Sequence, residues 1–199
     1  PFNGFNVSCN GEDDGEINIT VGGGISTYTY AWTQSGGGSG IDANTEDQTG
    51  LTAGTYTVTA TDQNSCTITE TYTITEPAVL AIANTITNVT CKSADDGAID
   101  VTVSGGATAY TYAWTQSGGG TGVVAADEDQ TGLSPGTYNV TVTDANSCTA
   151  TAEYTITEPA AALAISAVLS THNGFNITCN GVNDGAIDAT VTGGTTGYT

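Results

Sequence analysis

The sequence predicts an all-β fold built from tandem β-sandwich repeats in a linear array. One observation behind this prediction is that every apolar segment alternates apolar with polar residues, as at residues 98–103, which is the period of a β-strand. The other is that long motifs recur, with the segment at Cys9 returning at Cys91 and again at Cys179. An interval of this length is that of a whole domain, because solenoid turns repeat over only about 20–50 residues.

The recurring motifs predict three repeats, at residues 1–77, 78–159 and 160–199. We expect the first to lack its opening segment and the third to be partial, so that the chain is a window of a longer polypeptide. About seven strands are predicted per repeat, separated by turns rich in Gly, Asp and Asn. In the second repeat they are strand A near Leu80–Thr90, B near Ala98–Val103, C near Tyr110–Gln116, D and E within Val123–Leu133, F over Thr137–Thr143 and G over Cys148–Thr157.

Two aromatic positions indicate which kind of sandwich the repeats form. Each of the first two repeats has a Trp on strand C, Trp32 or Trp114, and a Gly-Thr-Tyr segment that opens strand F at Tyr56 or Tyr138. This pattern is typical of immunoglobulin-like sandwiches, in which that Tyr forms a corner hydrogen bond to the backbone. We therefore predict that these four side chains lie in the core and that the Trp rings do not serve as platforms for sugars.

The motifs also resemble a known repeat. Recurring in register over the first two repeats, and in part at the start of the third, are Cys-x-x-x-x-Asp-Gly-x-Ile, Tyr-x-Tyr-x-Trp, Leu-x-x-Gly-Thr-Tyr, Val-Thr-x-Thr-Asp-x-Asn-Ser-Cys and Thr-Ile-Thr-Glu-Pro. Together they resemble the SprB repeat, which is found in very large surface adhesins of gliding Bacteroidetes exported by the type IX secretion route. The resemblance implies an extracellular, fibrous protein at the bacterial cell surface, without assigning this chain to gliding motility itself.

The charge of the chain excludes several classes of partner. Asp and Glu number 21 against a single Lys or Arg, and the net charge is −20. Binding to nucleic acid or to anionic lipid needs clustered Lys and Arg, so neither is expected. No apolar run approaches the ~20 residues of a membrane-spanning helix, so no membrane insertion is expected either. The acidity suits a soluble, self-repelling surface polymer or, alternatively, the binding of divalent cations.

The sequence offers no catalytic centre, and no enzyme is predicted. The single histidine, His172, forms no Ser-His-Asp or Cys-His set with other residues of the sequence. The Gly-rich segments at 36–38 and 118–120 are not followed by a Lys and a helix, so they are not phosphate-binding loops.

Five cysteines recur at regular positions, which in an exported chain indicates disulfide bonds. They are Cys9, Cys66, Cys91, Cys148 and Cys179. The simpler hypothesis pairs them within each repeat, as Cys9–Cys66 and Cys91–Cys148. The alternative, which we prefer, joins neighbouring repeats through Cys9 and Cys148.

This preference follows from strand polarity in the immunoglobulin-like order. In a linear array, the turn that carries Cys91 lies at the exit pole of its repeat and the turn that carries Cys148 lies at the entry pole. A strand of about seven residues separates these poles by ~23 Å, whereas bridged Cα atoms lie within ~7 Å of each other. A bond within one repeat would require strand A to stop short, while neighbouring poles bring Cys9 beside Cys148.

The same geometry gathers oxygen ligands at the junctions between repeats. The predicted ligands are Asp13, Asp14, Glu76, Asp144 and Asn146 at the first junction, and Asp95, Asp96 and Glu158 at the next. Such a set suits Ca²⁺, which takes six to eight oxygen ligands. The alternative is that these residues only form turns and keep the surface hydrated.

The leading functional hypothesis is a structural one, a stalk or fibre segment of a secreted bacterial cell-surface adhesin. Its expected partners are neighbouring repeats of the same chain and lateral copies in a fibre. Two alternatives stay open: a polysaccharide-binding module that uses exposed aromatic rings, and the spacer of a large exported enzyme. A repeated exposed aromatic face would favour the first alternative, and a flanking catalytic domain would favour the second.

Overall fold

The computed structural model of the protein describes residues 1–195 and 197–199, and its regular structure is all β. No helix is present among these described residues, so the all-β prediction is confirmed. The strands are β1 (Gly15–Ile17), β2 (Thr29–Ser35), β3 (Gln48–Leu51), β4 (Gly54–Thr61), β5 (Thr67–Ile74), β6 (Ala81–Thr87), β7 (Gly97–Ser104), β8 (Thr111–Ser117), β9 (Gln130–Leu133), β10 (Gly136–Thr143), β11 (Thr149–Ile156), β12 (Ala164–Leu169) and β13 (Ile187–Thr192). Nowhere in the described part of the chain is there a helix of the length and apolarity that a membrane crossing requires.

Two small antiparallel sheets make up the first repeat. One pairs β1 with β3, and the other has the order β2-β4-β5. The register of the second sheet sets Trp32 opposite Val58. Because successive side chains point to opposite faces of a strand, the intervening threonines face outward, where Thr57 Oγ1 and Thr71 Oγ1 lie 3.0 Å apart.

The core of the first repeat draws on both of its sheets. Its buried members are Val7, Ile17, Trp32, Leu51, Tyr56, Val58 and Ile74. The second repeat buries the residue at each matching position, namely Val89, Ile99, Trp114, Leu133, Tyr138, Val140 and Ile156. Burying each large apolar side chain contributes about 1.5–3 kcal/mol, so the alternating pattern read from the sequence supplies the main stabilising term.

The tyrosine at the start of strand F forms the corner expected of an immunoglobulin-like sandwich. The Tyr56 hydroxyl lies 2.7 Å from the Thr52 carbonyl oxygen, and the Tyr138 hydroxyl lies 2.6 Å from the Ser134 carbonyl oxygen. Both phenol rings are fully buried. A Cβ on Gly38 would come within 2.9 Å of the Tyr56 ring, so this position has room only for glycine.

The prediction of two short strands, D and E, within Val123–Leu133 is wrong, because only β9 forms there. The side chain of Gln130 takes the place of a neighbouring strand. Its amide oxygen accepts the Val124 N–H at 2.9 Å, and its amide nitrogen donates to the Val124 carbonyl oxygen at 2.9 Å. Because the Gln130 side chain provides hydrogen-bond partners for the backbone N–H and carbonyl oxygen of this loop, the loop needs no neighbouring strand to pair with. Gln48 does the same for Asp42 in the first repeat.

Replacing Gln48 by Ala is expected to lower the free energy of unfolding by about 1–3 kcal/mol, because buried backbone groups lose their partner. Gln48 is only 2% exposed. Urea unfolding checks this value, with Gln34→Ala on the exposed part of β2 as the matched control, expected within about 0.5 kcal/mol of the parent. Equal effects of the two substitutions would contradict the role given to Gln48.

The second repeat has six strands in two sheets, of order β6-β7-β9 and β11-β10-β8. In the immunoglobulin-like lettering these orders are A-B-E and G-F-C. The third repeat contributes one antiparallel pair, in which β12 lies against β13 from Ala164 opposite Thr192 to Leu169 opposite Ile187.

Contact density divides the chain into two compact units. The first comprises Pro1–Ala83, Thr102–Tyr112 and Thr141–Thr151, and the second comprises Asn84–Val101, Ala113–Val140 and Ala152–Thr199. The predicted repeat limits at residues 77 and 159 stay predictions. Residues 2–14 and 144–148, which carry the site described next, both belong to the first unit.

Candidate repeat-junction site

The turn between β10 and β11, residues 144–148, is organised by one carboxylate; we call it the Cys148 turn. Asp144 Oδ1 accepts the N–H groups of Asn146 and Cys148, both at 2.9 Å. Asp144 Oδ2 accepts the Ala107 N–H at 2.7 Å. With Asp144 only 6% exposed, these donors offset the cost of burying its charge and hold the cysteine in a fixed place.

The equivalent turn of the first repeat, residues 62–66, has the same construction; we call it the Cys66 turn. Asp62 Oδ1 accepts the N–H groups of Asn64 at 2.9 Å and Cys66 at 2.8 Å, and Oδ2 accepts the Ile25 N–H at 3.1 Å. The N–H groups of Ile25 and, next in size, Cys66 hold the pKa of Asp62 below its ordinary value. The two turns are therefore built alike, donor for donor.

The segment before β1, residues 2–14, presents the other cysteine; we call it the Cys9 loop. It opens with a bridged turn in which the N–H of Phe2 donates to the Phe5 carbonyl oxygen at 2.8 Å, with the reverse bond at 3.0 Å. Asp14 Oδ1 then accepts the Ser8 N–H at 2.9 Å. These local bonds shape the loop in place of regular structure.

The Cys9 loop is also tied to the segment that leaves the first repeat. The Asn10 side-chain amide donates to the Pro77 carbonyl oxygen at 3.0 Å. The Gly11 N–H donates to Glu76 Oε2 at 2.7 Å. The linker that enters the second repeat is thereby held against the loop that carries Cys9.

The structure brings Cys9 together with Cys148. Their sulfur atoms are bonded at 2.01 Å, and their Cα atoms lie 5.7 Å apart, within the usual range for a disulfide. The side-chain amide of Asn146 donates to the Ser8 carbonyl oxygen at 2.8 Å, and that of Asn3 donates to Asn146 Oδ1 at 2.6 Å. Asn146 thus clamps the Cys9 loop beside the sulfur–sulfur bond.

The other cysteines are not paired with one another. Cys66, Cys91 and Cys179 are free and exposed. The structure therefore contains neither the Cys9–Cys66 nor the Cys91–Cys148 pair of the simpler hypothesis. Cys66 and Cys148 occupy the same kind of turn, between the last two strands of their repeats, and Cys9 is bonded to the second of them.

The eight predicted calcium ligands are not gathered into one cluster. In the described part of the chain, no group of three or more His, Cys, Asp and Glu side chains is placed to hold a metal ion. Asp14, Glu76 and Asp144 accept backbone N–H groups in the loops described above, and Asn146 donates to the Cys9 loop. Asp13 and Asp95 are exposed on the surface.

At the equivalent loop of the second repeat, Glu158 forms the single ion pair found among the described residues. The Lys92 Nζ lies 2.6 Å from Glu158 Oε1, and the Ser93 N–H donates to Oε2 at 2.7 Å. The hydrogen bond from Lys92, followed by that from Ser93, holds the pKa of Glu158 below its ordinary value. The pair is partly exposed, so its contribution to stability is small.

Acid is expected to loosen these loops. The Thr90 hydroxyl donates to Asp96 Oδ2 at 2.5 Å and, with the Thr90 N–H, holds the pKa of Asp96 below its ordinary value of 3.8. A lowered folded-state pKa gives stability that is present above pH ~4 and is lost as the pH falls through the folded value. Melting temperatures between pH 7 and pH 2 should fall at the acid end, and Asp96→Asn should flatten that fall relative to Asp95→Asn. Identical profiles for the two variants would contradict this role.

Sequence reasoning missed the part played by the asparagines. Asn146 was predicted as a metal ligand, and Asn3 was not singled out. The available signal was repetition, because Asn-Ser-Cys occurs at both 64–66 and 146–148 and Asn-Gly-Phe-Asn occurs at both 3–6 and 173–176. A polar side chain that makes contacts only at a junction leaves no alternation of apolar and polar residues, so the sequence pattern does not reveal its role.

Comparison with known families agrees with the recurring motifs. The model of the SprB repeat matches three stretches of the sequence, at residues 5–37, 83–119 and 175–199. No curated protein matches the chain at a significant level. The first matched stretch contains most of the Cys9 loop, and each of the three includes one cysteine that precedes strand B.

Proposed function

This chain belongs to the SprB-repeat family, and we propose on that basis that it is a stalk or fibre segment of a secreted bacterial adhesin. SprB repeats occur in cell-surface proteins, and the family is a structural repeat rather than a catalytic one. The stalk keeps a binding tip at a distance from the cell and transmits tension along the chain. Its immediate partners are the neighbouring repeats and, in a fibre, lateral copies of itself.

The observation that carries the proposal is the bond between Cys9 of the first repeat and Cys148 of the second. A disulfide between successive domains prevents the linker from hinging freely. It also keeps the enclosed residues out of the extensible length when the chain is pulled. Both effects suit a segment that works under tension, and neither is of use to an isolated binding module.

The charge of the chain fits the same role. A net charge of −20 on 199 residues gives strong self-repulsion, which keeps a crowded surface polymer soluble. At physiological salt this repulsion is screened beyond ~8 Å. Lateral association in a fibre would therefore strengthen as the salt concentration rises.

Single-molecule pulling of the chain, with and without reductant, tests the proposal. The residues between Cys9 and Cys148 span a sequence separation of 139. Reduction should therefore add about 480 Å of extensible length at ~3.5 Å per residue. Cys91→Ser, which alters a free and exposed cysteine, is the matched control and should leave the gain unchanged. Equal extensible lengths with and without reductant would contradict a covalently joined stalk. The cell-surface location is tested separately by adding protease to intact cells, and failure of the protease to cleave the protein would contradict that location.

The polysaccharide-binding alternative gains no support from the two tryptophans or from Tyr72. Trp32 and Trp114 are each 3% exposed, so their faces are covered. Tyr72 is 36% exposed, but its counterpart Tyr154 is 7% exposed, so the exposed ring does not recur from one repeat to the next. A platform repeated along the chain is what that alternative requires.

Calcium binding stays a separate prediction. If Asp13, Asp14, Glu76 and Asp144 moved together around Ca²⁺, ligand linkage would stabilise the fold by ~2.7 kcal/mol at a hundredfold excess over Kd. Titration calorimetry measures this directly, and the expected result is heat of binding together with a raised melting temperature. Absence of both at millimolar Ca²⁺ would leave these acids as turn-forming and solubilising groups.

A further inference from the structure

Lys92 is the one Lys or Arg of the sequence. The 199 residues carry 21 Asp and Glu against this single basic side chain. Trypsin-like proteases cut after Lys or Arg, because an acidic group in their specificity pocket binds the cationic side chain. This class of protease therefore has a single bond to cut in these 199 residues, the bond between Lys92 and Ser93.

The loop that contains this bond, residues 88–96 between β6 and β7, is accessible; we call it the Lys92 loop. Lys92 and Ser93 are both exposed. The residue in the position of Lys92 in the first repeat, Asn10, is also exposed, although the Cys9 loop is bonded to the Cys148 turn. Docking of such a loop onto a neighbouring repeat therefore leaves this position uncovered.

The folded Lys92 loop keeps the bond inside a tight turn. The Ala94 N–H donates to the Cys91 carbonyl oxygen at 3.1 Å and closes the turn, and Ser93 has a left-handed φ of 60°. A protease cleft takes the bond that it cuts in an extended segment, so the turn must first open. Local opening of exposed loops is the usual route by which folded proteins are nicked.

Glu158 holds this turn closed. Its Oε1 lies 2.6 Å from Lys92 Nζ, and its Oε2 accepts the Ser93 N–H at 2.7 Å. The carboxylate thus engages both the side chain that the protease must bind and the nitrogen of the bond that it cuts. In the Cys9 loop, Glu76 accepts the Gly11 N–H in the same way at 2.7 Å, so the contact with an ammonium group is particular to the Lys92 loop.

The disulfide spans the bond between Lys92 and Ser93. Cys9 precedes this bond in the sequence and Cys148 follows it, and their sulfur atoms are bonded to each other. A cut after Lys92 divides the chain into residues 1–92 and 93–199, each of which carries one of the two sulfur atoms. The two parts therefore stay covalently joined, and tension still passes from one to the other.

We propose that the bond between Lys92 and Ser93 is the cleavage site of this chain for trypsin-like proteases, that Glu158 slows the cut, and that the Cys9–Cys148 bond keeps the cut chain joined. The reaction consumes one water molecule. As the bond breaks, the hydroxyl group of the water goes to the Lys92 carbonyl carbon and its remaining hydrogen goes to the Ser93 nitrogen. The new amino group lies where the Ser93 N–H already donates to Glu158, so a charged hydrogen bond holds the cut loop.

Limited digestion of the folded chain with trypsin tests the proposal. The expected result is one cut, after Lys92, with a single band on a non-reducing gel and two bands, residues 1–92 and 93–199, on a reducing gel. In the double variant Cys9→Ser, Cys148→Ser, the same cut should give two bands without reductant. Lys92→Asn, which gives the loop the residue found at Asn10, should stay intact.

The role of Glu158 is tested by the rate of the cut. Glu158→Ala should speed cleavage of the folded chain about fivefold, the combined effect of a partly exposed ion pair and a hydrogen bond. Glu76→Ala, the counterpart in the first repeat, is the matched control and should leave the rate unchanged. A peptide with the sequence of residues 88–96 supplies the rate of the open loop, which should exceed that of the folded chain.

Three results would each overturn the proposal. They are survival of the folded chain under digestion that consumes the peptide, equal rates for Glu158→Ala and Glu76→Ala, and separation of the two fragments on the non-reducing gel. The last of these also removes the Cys9–Cys148 bond and with it the support for the proposed function. The first two leave that bond and the stalk unaffected, so the two failures are distinguishable.

Discussion

Replacing both Cys9 and Cys148 by Ser is expected to lower the free energy of unfolding by about 4–5 kcal/mol in the entropic account of disulfides. The bond encloses a sequence separation of 139 residues, and closing so long a loop removes much of the conformational freedom of the unfolded chain. The double substitution is preferred to a single one, because a single change would leave a free thiol to mispair. Urea or thermal unfolding measures the difference.

The matched control for this substitution is the pair Cys66→Ser and Cys91→Ser, both at free and exposed positions. Each should change stability by no more than about 0.5 kcal/mol. The hydrogen bonds from Asn146 and Asn3 survive in the Cys9 and Cys148 variant, so the junction should loosen rather than disappear. Unchanged stability of that variant would mean that the two cysteines are not bonded in the folded chain.

Replacing Trp32 by Ala is expected to cost about 3–5 kcal/mol of stability in the first repeat, because it leaves a cavity in a small core. Trp32 is 3% exposed, and its ring centroid lies 6.3 Å from that of Tyr72. The indole nitrogen donates to the Thr45 carbonyl oxygen at 2.8 Å, so truncation also leaves a backbone acceptor without its partner. Trp114→Ala is the equivalent change, with its own hydrogen bond to the Asp127 carbonyl oxygen at 2.9 Å.

Two comparisons make the tryptophan result interpretable. Ile68→Ala, at a side chain that is 57% exposed, should cost far less than Trp32→Ala despite removing a large apolar group. Trp32→Phe keeps much of the volume and leaves Trp114 as the single indole of the chain, so acrylamide quenching then reports on Trp114 alone. Strong quenching of that fluorescence would contradict a buried indole.

Much of the fold could be predicted from the sequence, because the buried side of each strand appears in the sequence as an apolar residue at every second position. The alternation along β4 and β10 and the position of Tyr56 and Tyr138 follow from apolar patterning and turn chemistry. Strand D could not be excluded in this way. The polar side chain that replaces it, Gln130 or Gln48, has no periodic signature and reveals its role only when its hydrogen bonds are seen.

In the candidate site, too, one part could be predicted from the sequence and another could not. Strand polarity and the limited reach of a disulfide are long-range constraints, and they favour the pairing of Cys9 with Cys148 over that of Cys9 with Cys66. The role of each individual carboxylate, in contrast, depends on which N–H groups its own loop places beside it. The recurrence of acids near the junction predicts Asp14 and Asp144 as calcium ligands, yet each accepts N–H groups of its own loop or turn. Sequence spacing does not distinguish these two uses of a carboxylate.

The most direct test of a covalent junction between successive repeats is peptide mapping of the native protein under non-reducing conditions. Free thiols are first blocked in the folded state, and the chain is then cut at its many Asp and Glu residues. The expected product is a cross-linked pair that contains Cys9 and Cys148, with blocked thiols at Cys66, Cys91 and Cys179. Cross-linked pairs that join Cys9 to Cys66 and Cys91 to Cys148 would contradict this account and would place each disulfide within a single repeat.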